Sequence, residues 1–292
     1  MFLLVGGDAE IGAATTRFLR TGGHSVAATT RRLDCIAPDR PLLDLSHSLD
    51  DWEPPAGSRA ACIFAAVAKL GACHNDPVGS AHINVTQTLA VCERLIARGI
   101  YVLLLSTNQV FDGHTPHVPA DAPTAPVSEY GRQKARIEAA LLAYMAHGAP
   151  VAILRLAKVI SRDTKLIHDW VAKLNVGDTV QAFHDMMLAP APVDIVVGAI
   201  VQMLQHEARG IFQLSGPRDI SYVEVGRYLA RRLGADPKLV VPDSVRAAGL
   251  PVGANPLHTT LDSSALRDRY GITVPEPWKA IDAIAAPRQE VF

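Results

Sequence analysis

Phe2-Leu3-Leu4-Val5-Gly6-Gly7-Asp8-Ala9-Glu10-Ile11-Gly12 opens the chain, and its reading decides the fold. Four apolar residues in a row predict a strand buried on both faces. The glycines predict a tight turn. Ile11, Thr15, Phe18 and Leu19 then share one helical face, so a helix follows directly. Strand, glycine turn and helix in this order form the setting of a dinucleotide-phosphate loop. Gly6 would allow the turn. Gly12 would let the helix lie close to the strand, and the helix N-terminus, with Glu10 and Ile11 in its first turn, would face the pyrophosphate. Ala9 stands where a Gly-x-x-Gly-x-x-Gly pattern has its middle glycine. The competing reading is an ordinary strand-to-helix turn.

The segments downstream favour the cofactor reading. Gly22-Gly23 ends the helix, and 24–30 is a second strand. An NAD site would place an acid at the end of that strand to bond the ribose 2′-hydroxyl. Here Thr30 holds that place, followed by Arg31 and Arg32. Guanidinium groups hold a 2′-phosphate, so NADP(H) is favoured over NAD(H). The alternative is two solvated arginines, with Asp34 reaching the ribose. Pro41-Leu42-Leu43-Asp44-Leu45 reads as a short third strand whose end, Asp44 with Leu45, would meet the adenine. Residues 59–68 read as a buried strand running into small residues. Ala65, Ala66 and Val67 would let a cofactor lie against the backbone. A helix opens at 82–86 with Val85, Leu89, Cys92 and Ile96 inside. Asn84, near its start, either caps it or reaches the site. Tyr101-Val102-Leu103-Leu104-Leu105 is a central strand ending in Ser106-Thr107-Asn108-Gln109. Hydroxyls at the carboxyl end of a parallel strand face the ligand crevice.

Ser128-Glu129-Tyr130-Gly131-Arg132-Gln133-Lys134 begins another helix. Ile137, Leu141 and Met145 repeat at helical spacing, with Leu142 beside them. Earlier on the same stripe lie Lys134 and Tyr130, one turn apart. An inward lysine needs a reason. One is an amphipathic stem whose amine snorkels to water. The other is chemistry: an ammonium beside a phenol lowers the phenol from its ordinary pKa of about 10 and makes it a usable proton donor.

The 292 residues suffice for one large domain or two smaller ones, and 49% of them are hydrophobic. A formal net charge of -1 gives no reason to expect nucleic acid or a membrane surface as partner. Cys35, Cys62, Cys73 and Cys92 show no metal spacing and read as free thiols of a cytoplasmic protein. The opening apolar run is too short for a signal peptide, and no apolar run approaches membrane-spanning length. His114, His117 and His184-Asp185 read as loop residues, so no metal is expected.

The order of glycine loop, small-residue strand end, Asn84, Ser106-Thr107 and Tyr130-x-x-x-Lys134 resembles an extended short-chain dehydrogenase/reductase. Ser106-Thr107 followed by Val110-Phe111-Asp112-Gly113 resembles the dTDP-4-dehydrorhamnose reductase branch. So do Gly210-Ile211-Phe212-Gln213-Leu214-Ser215-Gly216 and Pro256-Leu257-His258-Thr259-Thr260-Leu261-Asp262. The resemblance covers nearly the whole chain. It implies an α/β fold, a Rossmann-like doubly wound parallel sheet with a smaller C-terminal α/β substrate-binding lid. The expected division is 1–160, rejoined by about 188–208, for the NADP-binding domain, and 161–187 with 209–292 for the substrate-binding domain. The implied reaction is NADPH-dependent reduction of a nucleotide-linked keto-sugar. Tyr130 would give the proton, Lys134 would hold the ribose, and Thr107 would bond the same oxygen. Ala157 would lie beside the nicotinamide, with Asn108, Gln109 and Lys158 toward the substrate. Dimers of this superfamily pair the helices near Asn84 and Tyr130, so a homodimer is expected.

The chain also departs from the branch. Val67-Ala68-Lys69-Leu70-Gly71 replaces a polar or aromatic run, Asn108-Gln109 replaces an acidic–aromatic pair, and Asn255 replaces arginine. These changes touch the identity of the sugar. Amides cannot shuttle a proton, which sets a sugar dehydratase aside. An NAD-dependent sugar-nucleotide epimerase and a non-catalytic NADP-binding regulatory subunit remain as alternatives.

Overall fold

Phe2–Val5 forms strand β1 and all four residues are buried, but they feed two different cores. Phe2 and Leu4 point to one side of the sheet, Leu3 and Val5 to the other. That is what period-two alternation requires of a strand covered on both faces. In the computed structural model, which describes residues 1–250 and 255–285, this pattern runs through the central sheet.

The chain continues with α1 (Glu10–Thr21), β2 (Val26–Ala28), β3 (Ala60–Ile63), α2 (Leu70–Asn75) and α3 (Pro77–Ala81). A π-helical turn over His82–Gln87 joins α3 to α4 (Thr88–Ala97). Then come β4 (Tyr101–Thr107), α5 (Glu129–Ala146) and β5 (Val151–Leu156). The remainder comprises β6 (Val159–Ile160), α6 (Lys165–Asn175), β7 (Val180–Phe183), β8 (Met187–Leu188), β9 (Ala191–Pro192) and α7 (Val193–His206). It ends with β10 (Gly210–Leu214), β11 (Ile220–Ser221), α8 (Tyr222–Leu233), β12 (Val240–Asp243), α9 (Ser264–Tyr270) and α10 (Pro277–Ala285).

Six strands form one parallel sheet in the order β10-β5-β4-β3-β1-β2. Leu19 of α1 and the apolar face of α7 cover one side. Val91, Cys92 and Leu95 of α4 with Ile137 and Leu141 of α5 cover the other. This is the doubly wound parallel architecture expected. The order reverses between β1 and β3, and a ligand crevice lies outside the strand ends at such a point. A third core, around Ile167, Trp170, Val225, Leu229 and Ile281, belongs to the smaller C-terminal layer of α6, α8 and α10. No helix among the described residues is long and apolar enough to cross a membrane.

Two expectations need correction, and one open reading closes. Pro41–Leu45 is no sheet strand. It lies extended beside β2 with a single bridge, Thr30 to Leu42, and so short a segment at an open edge propagates no ladder. The division at 209 cuts through the main sheet: Gly210–Leu214 pair with Ala152–Leu156 as its outer strand. Leu266 of α9 packs into the core on the α7 side as well. Of the region expected to form the lid, 251–254 and 286–292 lie outside the described residues. Of the two readings of Asn84, the cap is the one that closes. The residue sits inside the π turn, well past the start of α3.

A buried polar network ties the sheet to α5. Arg155 of β5 is 2% exposed and donates through Nη2 to Glu138 of α5 at 2.8 Å; Glu138 is 1% exposed. Nη1 donates to the Ala120 carbonyl at 3.0 Å and to Gln213 of β10 at 3.3 Å. The guanidinium also stacks over Phe111, 4.9 Å from the ring centre. Arg155→Ala strands a buried carboxylate and should lower unfolding free energy by about 3–5 kcal/mol in urea titrations. The paired change Arg155→Met with Glu138→Leu should cost much less.

Candidate active site

The glycine turn is built as a phosphate cradle requires. Gly6 has φ +89°, and a Cβ there would strike the Ala65 backbone nitrogen. At Gly12 a Cβ would strike the Gly6 carbonyl. No side chain caps α1, whose N-cap residue is Ala9. Its first N–H groups therefore face outward without a side-chain acceptor, which suits an anion.

A cavity of about 310 Å³ opens beside this turn. Gly6, Ala9, Arg31, Asp44 and Leu45 line one side of it, and Ala65, Ala66 and Val67 the other. These come from the ends of β1, β2 and β3 and the extended segment beside β2. The residues suit a dinucleotide: glycine backbone, an uncapped helix end, small side chains and one cation.

The other candidates for this cavity fare differently. Arg32 is bound to Asp34 at 3.0 Å and does not line the cavity, so Arg31 is the cation facing it. Thr30 is buried and donates to Asp8 at 2.6 Å. Asp8, unremarked in the sequence, lines the cavity and also receives Arg40 at 2.5 Å. Asp44 takes the Ser46 amide and hydroxyl on one oxygen, at 2.9 and 2.7 Å. The amide bond holds its pKa below the usual aspartate value. Ile11 packs into the core on the α7 side, leaving only its backbone for a ligand. The Glu10 carboxylate turns away and accepts the Ser161 hydroxyl.

The second half of the site stands on α5. The Ser128 hydroxyl caps the helix, accepting from the Gly131 amide at 3.1 Å. It donates to Gln109 Oε1 at 3.1 Å, which fixes that oxygen toward α5 and leaves Nε2 unengaged by it. A Cβ at Gly131 would overlap the Gln109 carbonyl, so the glycine lets α5 settle on the end of β4. That brings the Tyr130 turn toward Thr107. The Thr107 hydroxyl accepts the Gln109 amide at 3.2 Å and donates weakly to Asn108 at 3.4 Å. Ala157 is held by its amide to the Leu214 carbonyl at 3.1 Å. Lys158 is exposed.

Lys134 is 3% exposed, as the inward stripe requires. Burial pulls its ammonium down to about 8, while Glu138, one turn on, pushes the other way. Burial pushes the Tyr130 phenol well above its ordinary value, and Cys73 adds to the rise. The phenol lowered by Lys134 that the spacing implies is therefore not what the protein groups alone produce.

Asn84, buried, clamps Val67 from both sides. Its Oδ1 accepts the Val67 amide at 2.7 Å, and its Nδ2 donates to the Val67 carbonyl at 2.9 Å. Nδ2 also donates to Gln133 Oε1 at 2.8 Å. Gln133 escaped the sequence reading; its one signal is an amide between Tyr130 and Lys134 on the inward side of α5. No cluster of metal-ligating side chains occurs among the described residues.

The parallel sheet, the glycine turn at its switch point and the Tyr-x-x-x-Lys helix define an oxidoreductase of the extended short-chain dehydrogenase/reductase type. Within that class, the chain belongs to the family described as the RmlD substrate binding domain, whose model matches residues 1–288. It is similar to the probable low-salt glycan biosynthesis reductase of Haloferax volcanii, 26% identical over 290 residues and 93% of each chain. It is also 31% identical over 192 residues to a dTDP-4-keto-6-deoxy-D-glucose reductase of Streptomyces niveus, covering 65% of this chain and 64% of that one. Among solved structures, a dTDP-4-dehydrorhamnose reductase of Bacillus anthracis in complex with NADP superposes with TM-score 0.80. That match covers 97% of both chains at 16% identity.

The state of Lys134 is measurable directly. Below pH 8 its charge opposes folding, because the unfolded amine holds its proton up to about pH 10.4. Stability from this group therefore rises as pH climbs from about 8 to 10.4. In carbon-13 NMR of labelled lysine, Lys134 should titrate near pH 8, apart from the other lysines. Glu138→Gln should move it lower still. Titration of Lys134 alongside the rest would contradict the burial argument.

Proposed function

We propose that the protein is an NADPH-dependent reductase of a nucleotide-linked keto-sugar. The observation that carries this reading is the buried Lys134, one helical turn from Tyr130, on a helix seated against the strand end that bears Thr107. The cavity at the glycine turn, with Arg31, Asp44 and the small residues Ala65 and Ala66 in its lining, supports a cofactor bound along the strand ends.

When bound, the nicotinamide supplies the hydride. The protein's own groups manage the proton and the orientation. Tyr130, raised by burial, stays protonated at neutral pH and donates to the developing alkoxide. Lys134 remains largely charged at pH 7 and holds the ribose hydroxyls. Thr107 donates to the same substrate oxygen. Asn108 and Lys158 face the sugar, and the C-terminal layer closes over it. We further infer a homodimer joined through α4 and α5, and a cytoplasmic protein in which its four cysteines stay free thiols.

NADPH oxidation with a nucleotide 4-keto-6-deoxysugar tests the reaction. Tyr130→Phe should lower kcat about 10²- to 10⁴-fold. Undiminished turnover would remove Tyr130 from the mechanism. NADPH binding without turnover of any nucleotide sugar would point to a regulatory subunit, and tightly bound NAD on purification to an epimerase. Arg31→Ala should weaken NADPH by roughly 10- to 150-fold and leave NADH nearly unchanged, read by fluorescence titration. Equal weakening of both would assign Arg31 another role. A sedimentation mass near 31.2 kDa at micromolar concentration would overturn the dimer.

A further inference from the structure

The cavity wall at Val67 is not held by packing alone. Its amide and its carbonyl are both bonded by Asn84, and the carbonyl also accepts the Cys73 thiol at 3.1 Å. Asn84 itself stands in the π turn, where the Thr88 hydroxyl bonds back to the Ile83 carbonyl at 2.7 Å. Such wide turns are rare and persist where a side chain must be aimed. The aim of Asn84 is fixed by Gln133, whose Oε1 accepts one of its amide hydrogens.

Gln133 is fully buried and its polar atoms are all engaged. Nε2 donates to the Ser80 hydroxyl at 2.8 Å, to Glu129 at 3.1 Å and to the Pro77 carbonyl at 3.3 Å. Those contacts leave its Oε1 one orientation, toward Asn84. It sits on the same helix as Tyr130 and Lys134, between them. A continuous run of hydrogen bonds therefore leads from the helix of the proton donor to the strand end lining the cofactor cavity. A buried amide pair is costly to disturb and cannot drift as apolar contacts can.

We propose that Gln133 is a positioning residue which, acting through Asn84, sets where the Val67 backbone stands relative to Tyr130. This rests on the reductase reading for its catalytic consequence only. Hydride and proton reach the same carbonyl from two separate parts of the fold, and an error of about 1 Å between such parts costs on the order of 10²-fold in rate. Gln133 touches neither substrate nor cofactor; it keeps the two parts in register.

Gln133→Met, similar in length but unable to bond Asn84, tests this in the full chain. Amide exchange at Val67 should quicken about tenfold or more, while Ile137 and Leu141 in the same helix keep their protection. With a keto-sugar substrate, kcat should fall about 10- to 100-fold, and the NADPH dissociation constant should stay within about threefold. In an Asn84→Ala background the same change should add nothing, because its path is already cut. Unchanged Val67 exchange in folded Gln133→Met overturns the proposal, as do losses in the two single variants that multiply in the double. If Gln133→Met does not fold, Gln133→Asn, one methylene shorter, cuts the same bond in a polar background. Should the wild type turn over no nucleotide sugar, the reductase reading falls, and Val67 exchange still decides the role of Gln133.

Discussion

A guanidinium buried to 2% exposure constrains most of this molecule. Arg155 must place every N–H on an acceptor, and its acceptors come from four parts of the chain: α5, the loop before it, β10 and, through the ring of Phe111, the turn after β4. An unpaired charge here would cost several kcal/mol, so the four parts are held in one arrangement. Gln213 extends the network by donating to the Val118 carbonyl at 2.7 Å. Glu138, the main partner, lies one turn beyond Lys134 and two beyond Tyr130. The rotation and height of α5 are thus fixed from its middle, while Ser128 fixes its start.

The inward face of α5 has a consistent chemical logic. Below the apolar stripe of Ile137 and Leu141, the helix buries an amide, an ammonium and a carboxylate within two turns: Gln133, Lys134 and Glu138. Buried polar groups must be matched, and a matched network admits few arrangements. Apolar residues of the same size would give a more forgiving core. The polar choice gives up tolerance and gains a defined distance between the strand ends and the helix.

Much of this was legible beforehand because it is local. The buried run of β1, the glycine turn and the stripe of α5 follow from periodicity within a dozen residues, and each stands where expected. The inward lysine was readable for the same reason. What escaped was set by partners far along the chain. Nothing near Gln109 announces that Ser128 bonds it. Glu10 is claimed by Ser161, more than a hundred residues away. Pro41–Leu45 has the composition of a strand, and only the open edge beside β2 denies it a ladder. Asn84 had the look of a cap; the π turn that redefines it leaves no mark in hydrophobic pattern. The tyrosine pKa was misjudged because spacing gives adjacency on a helix, not contact between side-chain ends.

The outer position of β10 has a consequence for how the molecule is made. β5 is complete at Leu156, but the strand that pairs with its free edge ends only at Leu214. Between them the chain lays down most of α6 to α7 in a different layer. During synthesis from the N-terminus, β5, paired on one side with β4, therefore waits for some sixty residues with the backbone donors and acceptors of its outer edge unpaired and its side chains, all buried in the end, uncovered on one face. An edge of that kind pairs readily with another chain. The late strand is the molecule's own seal on that edge, and a nascent chain stalled within α7 still presents it open.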